Sequence, residues 1–330
     1  MDIDQKIALF YAQKLLKPIK FGESGLCVWF PGAGKSTVIR DILASKQIIK
    51  EVLGKLADNL EIIPFYCHLS ETKKLEEVFG MNYDKLNSKC QQLIDSGREI
   101  VFIGDRIEEL PDEELLRLLE WLSRLMTINR ARIHILLNTI DKPKLTKIVL
   151  ANPSVAGIIQ NTLYLPVLSD SLLEKYIEYN SKKFFVNLSS SKVTEIIKST
   201  GGILYLTKEL IRNGGSPGEL DLKLRSIWSR LCPDYQSIIK NNVLRKNKPV
   251  ANDLSPMGIL ELTIFKDKFY LLDNNPLETL TSLLNRTEIH IFDYLQSHKN
   301  ILIIKEQIGD ILWGVKLEEK YSEWAIDQVM

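Results

Sequence analysis

The stretch VWFPGAGKST, residues 28–37, decides the fold. It continues a short apolar run, GLCVWF, and leads into STVIRDILASKQIIKEVLGKL, whose apolar Val38, Ile39, Ile42 and Leu43 return at helical spacing. A strand that turns through glycines into a helix makes a phosphate cradle. The glycines let consecutive backbone N–H groups converge, the helix adds the positive end of its dipole, a lysine reaches the β and γ oxygens, and a hydroxyl meets Mg²⁺. Pro31, Gly32, Ala33, Gly34, Lys35, Ser36 and Thr37 are therefore the expected site for ATP or ADP, with the Ser36 hydroxyl expected on Mg²⁺. Trp29 is the odd residue, because such loops usually open with glycine at that position. Every residue except proline carries the backbone N–H, so Trp29 is expected to reshape the pocket wall more than to remove a donor.

Three further β-rich runs, LEIIPFYCHLS, EIVFIGD and RIHILLNT, alternate with helical segments. One of these, PDEELLRLLEWLSRLM, repeats Leu115, Leu118, Leu119, Leu122 and Leu125 on one face and puts Asp112, Glu113 and Glu114 in its first turn. Such alternation predicts an α/β fold, a parallel sheet with helices on both faces. EIVFIGDRIEEL ends its apolar run in Asp105, a fitting outer-sphere carboxylate for Mg²⁺. The next residue, Arg106, stands where a water-activating Glu is often found, which makes Glu108 the nearest substitute base. Asn138, at the end of RIHILLNT, has two readings: its amide meets the γ-phosphate or attacking water, or it turns the chain before IDKPK. His134 alternates with apolar neighbours and is read as packed.

With 43 basic and 42 acidic residues among 330, no global field draws the chain to nucleic acid or an anionic membrane. Cys27, Cys67, Cys90 and Cys232 lie far apart and form no C-x-x-C pair, which argues against a zinc knuckle or redox motif and predicts core thiols. The start, MDIDQKIALFYAQKLL, has acidic residues where a signal peptide would be basic, and no apolar run approaches the ~20 residues of a bilayer span. The expected compartment is the cytoplasm, with no membrane partner.

After about residue 168 the pattern turns helical through SDSLLEKYIEYNSKKFF, SSSKVTEIIKSTGG and ILYLTKELIRNGG, punctuated by serines and glycine pairs. NGGSPGE then reads as a linker. Beyond it come two helical segments, a hairpin in ILELTIFKDKFYLLDN and three short helices.

FPGAGKST, VFIGDRIEEL, HILLNT and STGGILYLTKELI, in that order over residues 1–215, resemble P-loop ATPases of the AAA+ and STAND type, nearest the origin-recognition branch. The resemblance implies a helical lid over the nucleotide. Gly201 and Gly202 match the lid turn, but Leu204 replaces its usual proline, and Tyr205 stands near where a lid arginine is expected, which leaves Lys208 or Arg212 as cationic substitutes. Arg130 or Arg132 would be the finger toward a neighbouring subunit. LNRTEIHIFDYLQSHKNILIIKEQIGDILWG resembles the winged-helix effector domain of response regulators. The implied layout is a P-loop core over 1–167, a lid over 168–218, a divergent winged helix over 219–280 and a winged helix over 281–330 that stops within its recognition helix.

These readings converge on an ATP-binding, slowly hydrolysing switch coupled to winged helices, in signalling or transcription regulation. The alternatives are a replication-initiator-like DNA-remodelling ATPase and a scaffold that holds nucleotide without turnover. Partners implied are nucleotide, DNA through a complete winged helix, and a second copy or another protein. Charge separates these partners. Residues 281–330 carry five basic residues, Arg286, Lys299, Lys305, Lys316 and Lys320, against eight acidic ones. Lys and Arg neutralisation of phosphate supplies essentially all non-specific DNA affinity. Trp313 and Trp324 are then either core residues or anchors of a protein interface. The present chain is expected not to shift duplex DNA at low salt below about micromolar concentration, the tight end of ordinary non-specific binding; sub-micromolar binding in a gel-shift titration overturns this reading.

Overall fold

The structure, a computed structural model, describes residues 2–67, 79, 83–129, 132–216, 220–244, 291, 293–295 and 297–298. The expected hairpin and most of the two expected winged helices lie outside the described residues. The chain divides into two compact units, Met1–Asp267 and Lys268–Met330. In the second unit the described residues include Tyr294 stacked on His298, with ring centroids 4.2 Å apart.

The first unit is built on a five-stranded sheet formed by β1 (Gly25–Val28), β2 (Leu60–Tyr66), β3 (Glu99–Asp105), β4 (Ile133–Thr139) and β5 (Asn161–Tyr164). The strand order is β2-β3-β4-β1-β5. Every pairing is parallel, with Val28 beside Thr139 and Tyr164, and Tyr66 beside Asp105. This is the parallel α/β sheet that the alternation of β-rich and helical runs predicts. Because all strands run one way, their carboxyl ends share one edge, and loops leaving that edge can converge on one ligand.

Helices follow from capping and apolar spacing. α1 (Ile3–Leu15) starts in a capping box between Asp2 and Gln5 and buries Ile3, Ile7, Tyr11, Ala12 and Leu15. A short α2 (Lys17–Lys20) leads to β1. The helical pattern after the glycine loop is broken into α3 (Lys35–Ala44) and α4 (Lys46–Leu53), where one continuous helix is the simpler expectation. The cause is Ser45, whose hydroxyl accepts from the Ile48 N–H at 3.3 Å and so starts a new helix by satisfying an orphan donor. α5 (Tyr83–Asp95) precedes β3, α6 (Asp112–Ile128) precedes β4, and α7 (Lys142–Ala151) follows it. All five leucines expected on the core face of α6 are buried. The four cysteines are buried and free, as small core residues.

The three helices of the expected lid are α8 (Asp170–Lys183), α9 (Ser190–Thr200) and α10 (Leu204–Arg212). Gly202 turns the chain between α9 and α10 at φ 82°, and a Cβ there would stand 2.7 Å from the Leu168 carbonyl oxygen. Only glycine meets both conditions. α11 (Leu220–Ser229) and α12 (Pro233–Leu244) follow the linker, and α11 packs on α10 through a face that includes Leu220, Leu224 and Ile227.

Trp29 is wholly buried at the end of β1 and faces the core, not the phosphate loop. Its ring lies 5.0 Å from that of Tyr11, and its indole N–H donates to Asn138 Oδ1 at 2.9 Å. Asn138 Nδ2 in turn donates to the Gly104 carbonyl at 2.9 Å, so one side-chain relay ties β1 to β4 and β3. Replacing Asn138 by Leu strands the indole N–H in the core, and an unsatisfied buried donor costs about 1–3 kcal/mol. Urea unfolding of Asn138→Leu is expected to show a loss of about 2 kcal/mol, and Trp29→Phe should cost less in that background than in the parent. Additive losses mean that the two side chains are not coupled.

Candidate functional site

The loop between β1 and α3 ends in Gly34, which takes φ 93° as the N-cap of α3 and has no side chain to close the first turn. Asp2, Ser45, Asp141 and Ser189 all cap their helices with a side-chain oxygen. The first-turn N–H groups of α3 receive no such cap, which is the arrangement that accepts an anion.

Lys35, the first residue of α3, is 7% exposed and bonded to Asp105 Oδ1 at the end of β3; Asp105 is 1% exposed. Its ammonium also lies 3.7 Å from Glu108 Oε1. Glu108 sits on a single 3-10 turn, Ile107–Glu109. Lys144 of α7 fixes that turn from below, donating to the carbonyls of Glu108 at 2.9 Å and Leu110 at 2.6 Å. The motif-bearing loops leave Lys144 unmarked, although IDKPK places it one turn beyond a strand end, a position from which a long cation reaches neighbouring carbonyls. Burial pushes the Glu108 carboxyl above its ordinary range, against the pull of Lys35. Beside these groups burial also raises the Cys67 thiol to about 12, which removes it as a nucleophile at neutral pH.

Arg106 turns in the left-handed region at φ 58°, its N–H donating to Asp105 Oδ1 at 2.9 Å. Its Nε donates to Ser36 Oγ at 3.4 Å and its Nη1 lies 3.3 Å from Glu109 Oε1. Asp105 Oδ2 is buried and accepts no hydrogen bond among the described residues. Together with the Ser36 hydroxyl it is the kind of hard oxygen donor that Mg²⁺ takes, Asp105 through water. Thr37, one residue on, is exposed.

The lid rests on the loop. The Tyr205 N–H donates to the Gly32 carbonyl at 3.0 Å. A Cβ on Gly32 would meet Ile203, Tyr205 and Ile227 within 3.2 Å, and one on Gly34 would meet Leu204 at 3.0 Å. Pro31 and Ala33 are buried between. Gly32, Gly34, Lys35, Ser36, Asp105 and Glu108 are thus brought to one place. Asn138 lies one layer beneath them, fully buried, with Trp29 and Gly104 as its partners.

Other candidates stand elsewhere. His134 is buried near the opposite end of β4, with Nε2 3.3 Å from Glu99. Arg132 precedes β4 and donates to the Ile94 carbonyl at 3.1 Å, while Arg130 is outside the described residues. Arg212 lies over the Phe184 ring, Lys208 is exposed, and Lys223 of α11, beyond the expected lid, lies 4.9 Å from the Tyr205 ring centroid. Among the described residues no helix is long and apolar enough to cross a membrane.

No protein-family model matches the chain, and no curated protein does. Among solved structures it is similar to the ORC1 protein of Aeropyrum pernix in complex with DNA, at 12% identity and a TM-score of 0.43 over 98% of this chain and 81% of that one. A Walker-type ATPase of Pyrococcus abyssi gives 12% identity and 0.48 over 91% and 94%. The Aeropyrum pernix ORC2 protein in its ADPNP-ADP complexes gives 15% and 0.43 over 94% of each chain.

Glu108 carries a pH signature. A carboxyl whose folded pKa is raised favours folding below its unfolded pKa, and that contribution is lost as pH rises through the folded value. Ionisation of Glu108 as pH rises therefore works against the fold. Glu108→Gln is expected to raise the thermal midpoint of the nucleotide-free chain near pH 8, with the gap to the parent closing as pH falls toward the ordinary glutamate range. A gap that widens on acidification contradicts this environment for Glu108.

Proposed function

We propose that the chain is a nucleotide-dependent switch of the AAA+/STAND type that binds ATP or ADP at Pro31, Gly32, Ala33, Gly34, Lys35, Ser36 and Thr37 and hydrolyses ATP slowly. The observation that carries this reading is the bond from the Tyr205 N–H to the Gly32 carbonyl at 3.0 Å, with Leu204 against Gly34. A phosphate chain seated on the loop meets the first turn of the lid helix, so lid position and nucleotide occupancy depend on each other. Ile227, beyond the linker, stands against the same glycine and carries that dependence toward the C-terminal segments. A ligand shifts such an equilibrium by its differential affinity for the two arrangements.

In this reading Lys35 leaves Asp105 and Glu108 for the β and γ oxygens. Mg²⁺ bound through Asp105 and Ser36 would supply charge to the phosphates. Glu108 is the general base for water, and Asn138, buried beneath the site and bonded to Trp29 and Gly104, braces the strand ends. Slow turnover follows from Arg106 occupying the residue after Asp105, where a water-activating Glu is often found, and from Tyr205 standing near where a lid arginine is expected. The roles in signalling or transcription, the layout of core, lid and two winged helices over 1–167, 168–218, 219–280 and 281–330, and a cytoplasmic location rest on the sequence motifs.

Calorimetry with ATP on the purified chain tests the reading. Lys35→Ala removes a charge-assisted bond worth about 1.5–3 kcal/mol and is expected to weaken ATP binding at least about tenfold. Turnover is expected below about 1 s⁻¹, the low end of ordinary enzymes. Equal affinity in parent and variant refutes the site. Fast turnover refutes the slow switch, and turnover stimulated by DNA favours the initiator-like alternative.

A further inference from the structure

Resting on the nucleotide site proposed above, we infer that Arg106 is the resident counter-cation of that site, so that nucleotide binding by this chain depends little on Mg²⁺. Three observations converge on it. Arg106 holds a left-handed backbone at φ 58°, a conformation that non-glycine residues adopt at a cost and that persists where surrounding bonds enforce it. Here its own N–H is bound by Asp105 Oδ1 at 2.9 Å, and the strained turn points the side chain back across the strand end. That side chain reaches Ser36: Nε donates to Ser36 Oγ at 3.4 Å, placing a permanent positive charge on the one hydroxyl the loop offers to a divalent cation.

The guanidinium is also braced. Nη1 lies 3.3 Å from Glu109 on the same turn, and the side chain is about two-thirds buried, at 33% exposure. A planar fork held by one carboxylate still has N–H groups to present to phosphate oxygens, and it is never deprotonated. Mg²⁺ binding at Ser36 would have to displace this charge or sit beside it. Arg106 and Mg²⁺ are therefore alternative cations for the same hydroxyl, and the covalently attached one is always present.

Binding of the non-hydrolysed β,γ-imido analogue of ATP, titrated calorimetrically in excess Mg²⁺ and in EDTA, tests this. The parent chain is expected to keep its affinity within about threefold between the two buffers. Arg106→Gly removes the side chain at a backbone angle that glycine accepts freely, so the variant is expected to fold with an unchanged circular dichroism spectrum. It should bind at least about tenfold more weakly in EDTA than in Mg²⁺. Arg106→Lys, which keeps the charge and loses the fork, should fall between. A parent that loses tenfold or more in EDTA overturns the inference, as does an Arg106→Gly variant that binds equally in both buffers. A parent that binds no analogue in either buffer refutes the nucleotide site itself, and the inference falls with it.

Discussion

Lys35 is only 7% exposed, and two carboxylates meet its ammonium group at the end of the sheet. Taking an ammonium out of water costs several kcal/mol unless its partners repay the loss, and Asp105 and Glu108 repay it only because β3 ends level with the loop that follows β1. The β4 strand lies between them, so the register of three parallel strands sets the reach of one side chain. A slip of one residue in β3 would turn Asp105 to the other face and leave Lys35 buried alone. The fold and the site are in this sense one constraint.

The tryptophan at the head of the loop belongs to the same constraint. Its ring fills the space beneath the strand ends against Tyr11, and Tyr11 in turn donates to the Pro166 carbonyl at 2.9 Å. Its indole N–H takes the Asn138 oxygen, which fixes how the end of β4 meets β1 and β3. A glycine at position 29 would provide none of this. The departure from the usual loop is thus a packing device under the glycine loop, and it leaves the backbone N–H groups of Gly32 and Gly34 untouched.

The residues that carried their own signal could be read directly. The glycine loop, four of the strands, the leucine face of α6 and the three lid helices each have a periodicity or a turn residue that needs no partner. Other parts depend on tertiary context. β5 is four residues long, NTLY, with two polar residues and a half-exposed pattern, so no alternation rises above its surroundings. In α1 a capping box and a buried Tyr11 define the helix, and its role appears only when Trp29 packs on it. The break at Ser45 depends on a hydroxyl capping rather than pointing to water. Lys144 lies 36 residues from the carbonyl of Glu108 that it binds. Asp105 and Glu108 were legible as chemistry, but their shared hold on Lys35 was not, because it depends on β3 and the loop lying side by side.

That shared hold gives the site its direction of change. Lys35 and Arg106 face the carboxyl groups of Asp105, Glu108 and Glu109 through the contacts described above. In the proposed reading a phosphate chain competes with these carboxyl groups for the two cations. The first attraction an arriving phosphate meets is the uncapped turn of α3, a fixed partial charge that needs no rearrangement. In the proposed reading Lys35 then exchanges carboxylate for phosphate, which leaves the Asp105 and Glu108 carboxyl groups buried beside each other. Their repulsion rises unless Arg106, a metal or a proton moves toward them. In that reading the helix bonded to Gly32 and packed on Gly34 lies where the rearrangement is felt, and the electrostatic misfit created by binding is the force proposed to move it.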